Sequence, residues 1–188
     1  MNHNTKKLAQ AALLLAICLI AQYFKNISVY ITGPIINACL IIAALAIGPV
    51  YALILSVITP VTAFFFTGSP IMAAIPLMFP VIMAGNAILA LDSWYFYKKL
   101  TFRYRLILGM IAGSIVKAAF MGLVIVGVLL PSFGSNIASH LPKPEALPGV
   151  LAAARVTFSW TQLFAGLIGS ALAWMIWIPL KKSLNQFD

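Results

Sequence analysis

Lys117 is the residue whose type and position demand an explanation. It stands inside an apolar run, about 13 residues from each end, or roughly 20 Å from either end at 1.5 Å of helical rise per residue. Its side chain is too short to reach water over that distance. A lysine at mid-bilayer costs roughly 2.5–3.5 kcal/mol on insertion scales, so a partner, a watered cavity or an anionic ligand must offset it. Asn86 lies at a matching depth in the preceding apolar run, and the two groups can face one pocket. Asn86 can equally bond a neighbouring helix, a common use of asparagine in membranes. Further on, Arg155, Ser159, Gln162 and Gly166 recur at i, i+4, i+7 and i+11, the spacing of one helical face. Trp160 is close enough to stack on a ligand ring. A cationic mouth at Arg155 with a deeper ammonium at Lys117 forms a funnel for an anion, although an arginine near a span end can also hold a lipid phosphate. The chemistry is that of binding and not of catalysis. There is no GxxxxGK[ST] phosphate loop, no carboxylate at mid-run depth and no Ser/His pair. His140 stands alone, and Cys18 and Cys39 form no CxxC, so the expectation is of no metal and no cofactor bound by this chain.

The elements that must position these residues follow from composition. Hydrophobic types make up 63% of the 188 residues and charged types 8%, with a mean hydropathy of +1.05. Soluble domains carry roughly 25% charged residues, so an all-α integral membrane protein is expected. The 12 Lys+Arg against 3 Asp+Glu do not point to nucleic acid, because the basic residues sit at the ends of apolar runs. About 20 apolar residues cross a bilayer as a helix. Six transmembrane helices are predicted at approximately 8–24, 31–47, 50–66, 71–97, 104–130 and 151–180, forming one membrane domain over 1–188. Gly48-Pro49 separates the second and third. The first, which follows Lys6-Lys7, is read as a membrane helix and not as a cleaved leader.

Six spans place both termini on one side. With the N- and C-termini cytoplasmic, Lys6, Lys7, Lys98, Lys99, Arg103, Arg105, Lys181 and Lys182 face inward. Lys25, Lys143 and Arg155 face outward, an asymmetry that the positive-inside rule favours. Trp94, Tyr95, Tyr97, Trp174 and Trp177 form an aromatic belt at the inner interface, where Asp92 is expected to pair with the nearby basic group. The segment 131–150, rich in proline and glycine, is predicted as an outer loop that can fold over a cavity.

The first span carries Ala9, Ala12 and Ala16 on one face, small residues that let another helix approach closely. Together with size, six spans, and the opening Lys6-Lys7-Leu8-Ala9-Gln10-Ala11-Ala12-Leu13-Leu14-Leu15-Ala16, the chain resembles the S components of energy-coupling factor (ECF) transporters. The stretch Thr59-Pro60, Thr67-Gly68-Ser69-Pro70, Pro76, Pro80 and Gly85-Asn86 is similar to that family too. The resemblance implies a receptor in a prokaryotic plasma membrane that captures a vitamin or precursor from outside. It would dock through Ala9, Ala12 and Ala16 on a membrane coupling protein carrying two ATPase subunits, which use the ATP. The family's pocket lies where Asn86, Lys117, Arg155, Trp160 and Gln162 fall. With Lys117 and Arg155 there, the expected ligand is anionic: pantothenate first, then a nicotinate- or folate-like acid. A neutral vitamin fits if Lys117 only donates hydrogen bonds. A stand-alone secondary carrier and an accessory membrane subunit without a ligand are the alternatives. The first lacks a buried carboxylate, and the second leaves Lys117 unexplained.

Overall fold

The computed structural model describes residues 3–24 and 29–184, and every regular element in them is helical. Lys25, assigned above to the outer face, lies outside the described residues. Six helical stretches are long and apolar enough to cross a membrane: Asn4–Tyr23, Tyr30–Ile47, Pro49–Thr67, Met78–Lys99, Arg105–Ser132 and Pro144–Ser183.

Helix α1 is His3–Tyr23 and α2 is Val29–Ile42, extended by a wider-wound stretch, Ala43–Ile47. Gly48 ends it at φ 127°, with its N–H donating to the Ala43 carbonyl at 2.9 Å. Pro49 then opens α3 (Pro49–Thr67), where a missing N–H costs nothing because first-turn donors have no partner in the helix. Gly68, left-handed at φ 54°, closes α3 by donating to the Phe64 carbonyl. The remaining helices are α4 (Pro70–Ala74), α5 (Met78–Lys99), α6 (Arg105–Met121, continued by wider winding over Gly122–Leu129), α7 (Leu130–Ser132), α8 (Gly134–His140), α9 (Leu147–Thr157) and α10 (Trp160–Leu184).

Three expectations are corrected. The fourth span does not begin at residue 71. Ile75 is extended at φ −129°, ψ 81°, because a residue before proline is driven out of the helical region and Pro76 supplies no N–H. The result is a short α4 and an α5 that starts at Met78. The segment 131–150 is not a loop but mostly helix, since Ile137, Leu147 and Val150 are apolar and pack into a core with Phe133 and Leu141. The sixth span is not one helix. It breaks at Phe158-Ser159, where Phe158 N–H donates to the Ala154 carbonyl and Ser159 N–H reaches back only to Val156.

α5 lies along α6, and α2 lies against α10. The latter approach is close enough that a Cβ on Gly169 would stand 2.7 Å from both Asn37 Cβ and the Pro34 carbonyl. One core, built on Met72, Ile75, Met78, Ile125, Leu130 and Ile137, fills the end of the bundle that holds α4, α7, α8 and α9. Two further cores, around Ile41, Leu89, Met110 and Trp177 and around Leu40, Ala44 and Leu55, fill the other end. There Tyr97 meets Trp177 edge to face, with ring centroids 5.6 Å apart. Asp92 does not join the basic group as expected. Its Cβ lies against Gly113, one helix surface away, and it forms no salt bridge among the described residues.

Candidate functional site

Four polar residues from four different spans sit near the middle of those spans: Asn37 in α2, Thr59 in α3, Asn86 in α5 and Lys117 in α6. Each is buried; Lys117 is 2% exposed. Lys117 Nζ donates to Asn37 Oδ1 at 2.6 Å and to Asn86 Oδ1 at 2.8 Å. An ammonium has donors only, so both amide oxygens must point at it and both NH₂ groups must point away. The Asn86 NH₂ makes a long 3.4 Å contact to Thr59 Oγ1. The backbone carbonyl of Thr59 accepts from Gln22 Nε2 at 3.0 Å, which ties α1 to the same network.

Local sequence explains why these groups meet. Gly85 precedes Asn86, and a Cβ there would lie 2.9 Å from Met121 Sδ and 3.5 Å from Lys117 Cγ. The glycine therefore leaves the space that Met121 fills, with the lysine stem in van der Waals reach beside it. Gly169 does the same for Asn37 from the α10 side.

The network forms the polar floor of a cavity of about 450 Å³, within the range of roughly 300–1,000 Å³ usual for small-molecule sites. Apolar walls come from Ile36, Ile71, Met72, Ile82 and Met121. Val150, Ala153, Ala154, Thr157 and Phe158 lie across it from the α9 side, and Thr67, Ser69 and Gln162 add hydrogen-bonding groups. No carboxylate lines it. The only acids among the described residues are Asp92 and Glu145, so the positive charge of Lys117 is solvated by amide dipoles and balanced by no anion among the described residues. Such a floor offers donors: the remaining ammonium hydrogen and the Asn37 NH₂. A ligand group that accepts hydrogen bonds and carries negative charge complements it.

The structure gathers Asn86, Lys117 and Gln162 on this cavity and leaves two other expected site residues off its lining. Arg155 is exposed in the last turn of α9, one residue beyond the lining Ala154. Trp160 is 64% exposed and faces away. The break at Phe158-Ser159 is the reason: it interrupts the helical register on which the stripe from Arg155 to Gly166 depended. Ser159 Oγ turns back to the Arg155 carbonyl, and Gly166 packs on Ser114. Gln162 Nε2 donates to the Thr157 carbonyl across the same break.

Asn37 and Thr59 are the members that the sequence reading missed. Asn37 carried the signal that identified Asn86, an amide at the middle of an apolar run. Thr59 carried none, because threonine is common in membrane helices and bonds its own backbone.

Away from this network, toward the start of α1, Ala9, Ala12 and Ala16 are all exposed, beside exposed Leu8, Leu13 and Ile20. The helix packs its other face inward through Ala11, Leu14 and Leu15, and buries Cys18, Ala21 and Gln22.

Residues 6–180 match the family described as ECF transporter, substrate-specific component. The chain belongs to that family. It is therefore a multi-pass protein of the prokaryotic plasma membrane and a transporter subunit, the one that selects the substrate for a membrane transport module. Comparison with curated proteins and with solved structures yields no match. Within this S component, the cavity over the Lys117 floor is the candidate substrate site.

Proposed function

We propose that this S component captures a small anionic vitamin or vitamin precursor, with pantothenate the first candidate and nicotinate- or folate-like acids next. The single observation that carries the reading is a buried ammonium, held by two amide oxygens at 2.6 and 2.8 Å, in a cavity with no carboxylate. Lys117 anchors the acid, the Asn37 NH₂ adds a second donor, and the aliphatic walls take the body of the ligand. Arg155, exposed beside the cavity, draws anions toward it without touching them when bound. The cavity opens to the outside, the termini lie in the cytoplasm, and the alanine face of α1 docks on a membrane coupling protein with two ATPases.

The test begins with mass spectrometry of the small molecule that co-purifies with the detergent-solubilised protein. Calorimetry with pantothenate, nicotinate and folate follows, on the wild type and on Lys117→Met. A charge-assisted hydrogen bond contributes about 1.5–3 kcal/mol, so the variant should bind about 10- to 150-fold more weakly. Unchanged affinity in Lys117→Met refutes the anion anchor.

A further inference from the structure

We propose that the groove between α6 and α10 at the basic end of the bundle is a binding site for an anionic phospholipid. The inference rests on the chain being a membrane protein and is independent of which ligand fills the Lys117 cavity.

Three cations from three stretches of chain converge on one ring. Lys98 Nζ, at the end of α5, lies 5.7 Å from the Tyr97 ring centroid. Arg105, at the start of α6, places its guanidinium carbon 5.2 Å from it, and Lys181 Nζ, near the end of α10, lies 5.7 Å from it. No two of the three are separated by more than twice those distances. The ring does not neutralise them, and Asp92, the acid nearest in sequence, forms no ion pair with any of them. Among the described residues no salt bridge relieves the cluster. Positive charges gathered around one ring repel one another, and a phosphate beside the ring, between neighbouring cations, would turn that repulsion into attraction.

The groove supplies the other half of an amphiphile's site. It is a cleft of about 320 Å³ with almost wholly apolar walls, lined by Ile107 and Ile111 of α6 and by Leu167, Ala171 and Trp174 of α10. Ile107, Ile111, Ala171 and Trp174 are exposed on the outer surface of the bundle, which in a membrane is the surface that meets acyl chains. The two halves are continuous. Trp174 precedes Lys181 by seven residues, two helical turns on the same face. A headgroup on the cations thus places its chains against the cleft. Charge selects an anionic lipid over a zwitterionic one, and the apolar cleft selects a lipid over a free phosphate. Basic pockets between transmembrane helices are known to hold anionic headgroups in this way.

The test is native mass spectrometry of the full chain, released from micelles containing equal phosphatidylglycerol and phosphatidylcholine. Each cation beside an anionic headgroup contributes about a fivefold factor. The wild type should retain one phosphatidylglycerol in preference to phosphatidylcholine, and Lys98→Gln/Arg105→Gln/Lys181→Gln should lower that retention about a hundredfold. Ala171→Phe, which fills the cleft and leaves every charge in place, should lower it as well and keeps the test decisive if the triple variant does not fold. Equal retention of the two lipids by the wild type, or full retention of phosphatidylglycerol by Ala171→Phe, overturns the proposal. So does displacement of the lipid by millimolar inorganic phosphate, which would mark a bare anion site.

Discussion

Asn37→Asp tests the electrostatic character of the cavity floor with the least change in shape. The substituted carboxylate oxygen takes the place of Asn37 Oδ1, 2.6 Å from Lys117 Nζ, and keeps that hydrogen bond. What changes is charge. An anion bound to the remaining ammonium hydrogen would lie about 4 Å from the new carboxylate, at which separation two like charges repel by about 4 kcal/mol at an effective dielectric of 20. The variant also loses the Asn37 NH₂ donor, worth about 1 kcal/mol. Lys117 is now internally paired, so its pull on the ligand falls too. Affinity for pantothenate should drop about a thousandfold. Its alcohol counterpart, with CH₂OH in place of the carboxylate, should lose no more than about tenfold. Isothermal titration calorimetry on detergent-purified protein measures both, and the thermal unfolding midpoint, expected to hold or rise because a buried charge gains a partner, reports on folding. Equal losses for acid and alcohol would refute the reasoning, since the floor would then be read by shape alone. So would an undiminished affinity for the acid in a variant that folds normally.

The other predictions concern separate surfaces. Gly169→Ala places a Cβ 2.7 Å from Asn37 Cβ and the Pro34 carbonyl. Overpacking of this kind costs about 1–3 kcal/mol, so the unfolding midpoint in detergent should fall and ligand affinity should fall with it as Asn37 is displaced. Ala12→Trp and Ala16→Trp alter only exposed positions of α1, so ligand affinity should be kept. Uptake by cells, and co-purification with the coupling protein, should be lost; co-purification that survives both changes would leave the alanine face as a lipid-facing surface. Arg155→Gln removes a charge that lies off the cavity lining. It should slow association of an acidic ligand at low salt several-fold and leave the dissociation rate unchanged, as stopped-flow fluorescence can resolve.

Much of the fold was legible in the chain because membrane insertion reads one dimension. A run of apolar residues long enough to cross a bilayer must be helical wherever it lies, since its backbone has no water to bond. Four of the six expected spans, the first, second, third and fifth, match the helices within a few residues, and Gly48-Pro49 marks its turn. The departures fall where two tendencies compete. Pro76 cuts an apolar run that length alone assigned to one span. The proline-rich segment before residue 150 holds enough apolar side chains to form packed helices despite its turn residues.

The candidate site divides in the same way. The sequence by itself determined that a lysine lies at mid-span with no acid at its depth, and that some polar group must meet it. Asn86 could be proposed because its depth follows from counting along a neighbouring span. Only the tertiary structure decided that Asn37, eighty positions away, supplies the other oxygen, because helix order around a bundle is set by packing at positions such as Gly85 and Gly169 and not by depth. It also decided which way Arg155 and Trp160 face. A helical stripe holds its direction only while the helix is unbroken, and one loosened turn at Phe158-Ser159 rotates everything before it relative to everything after.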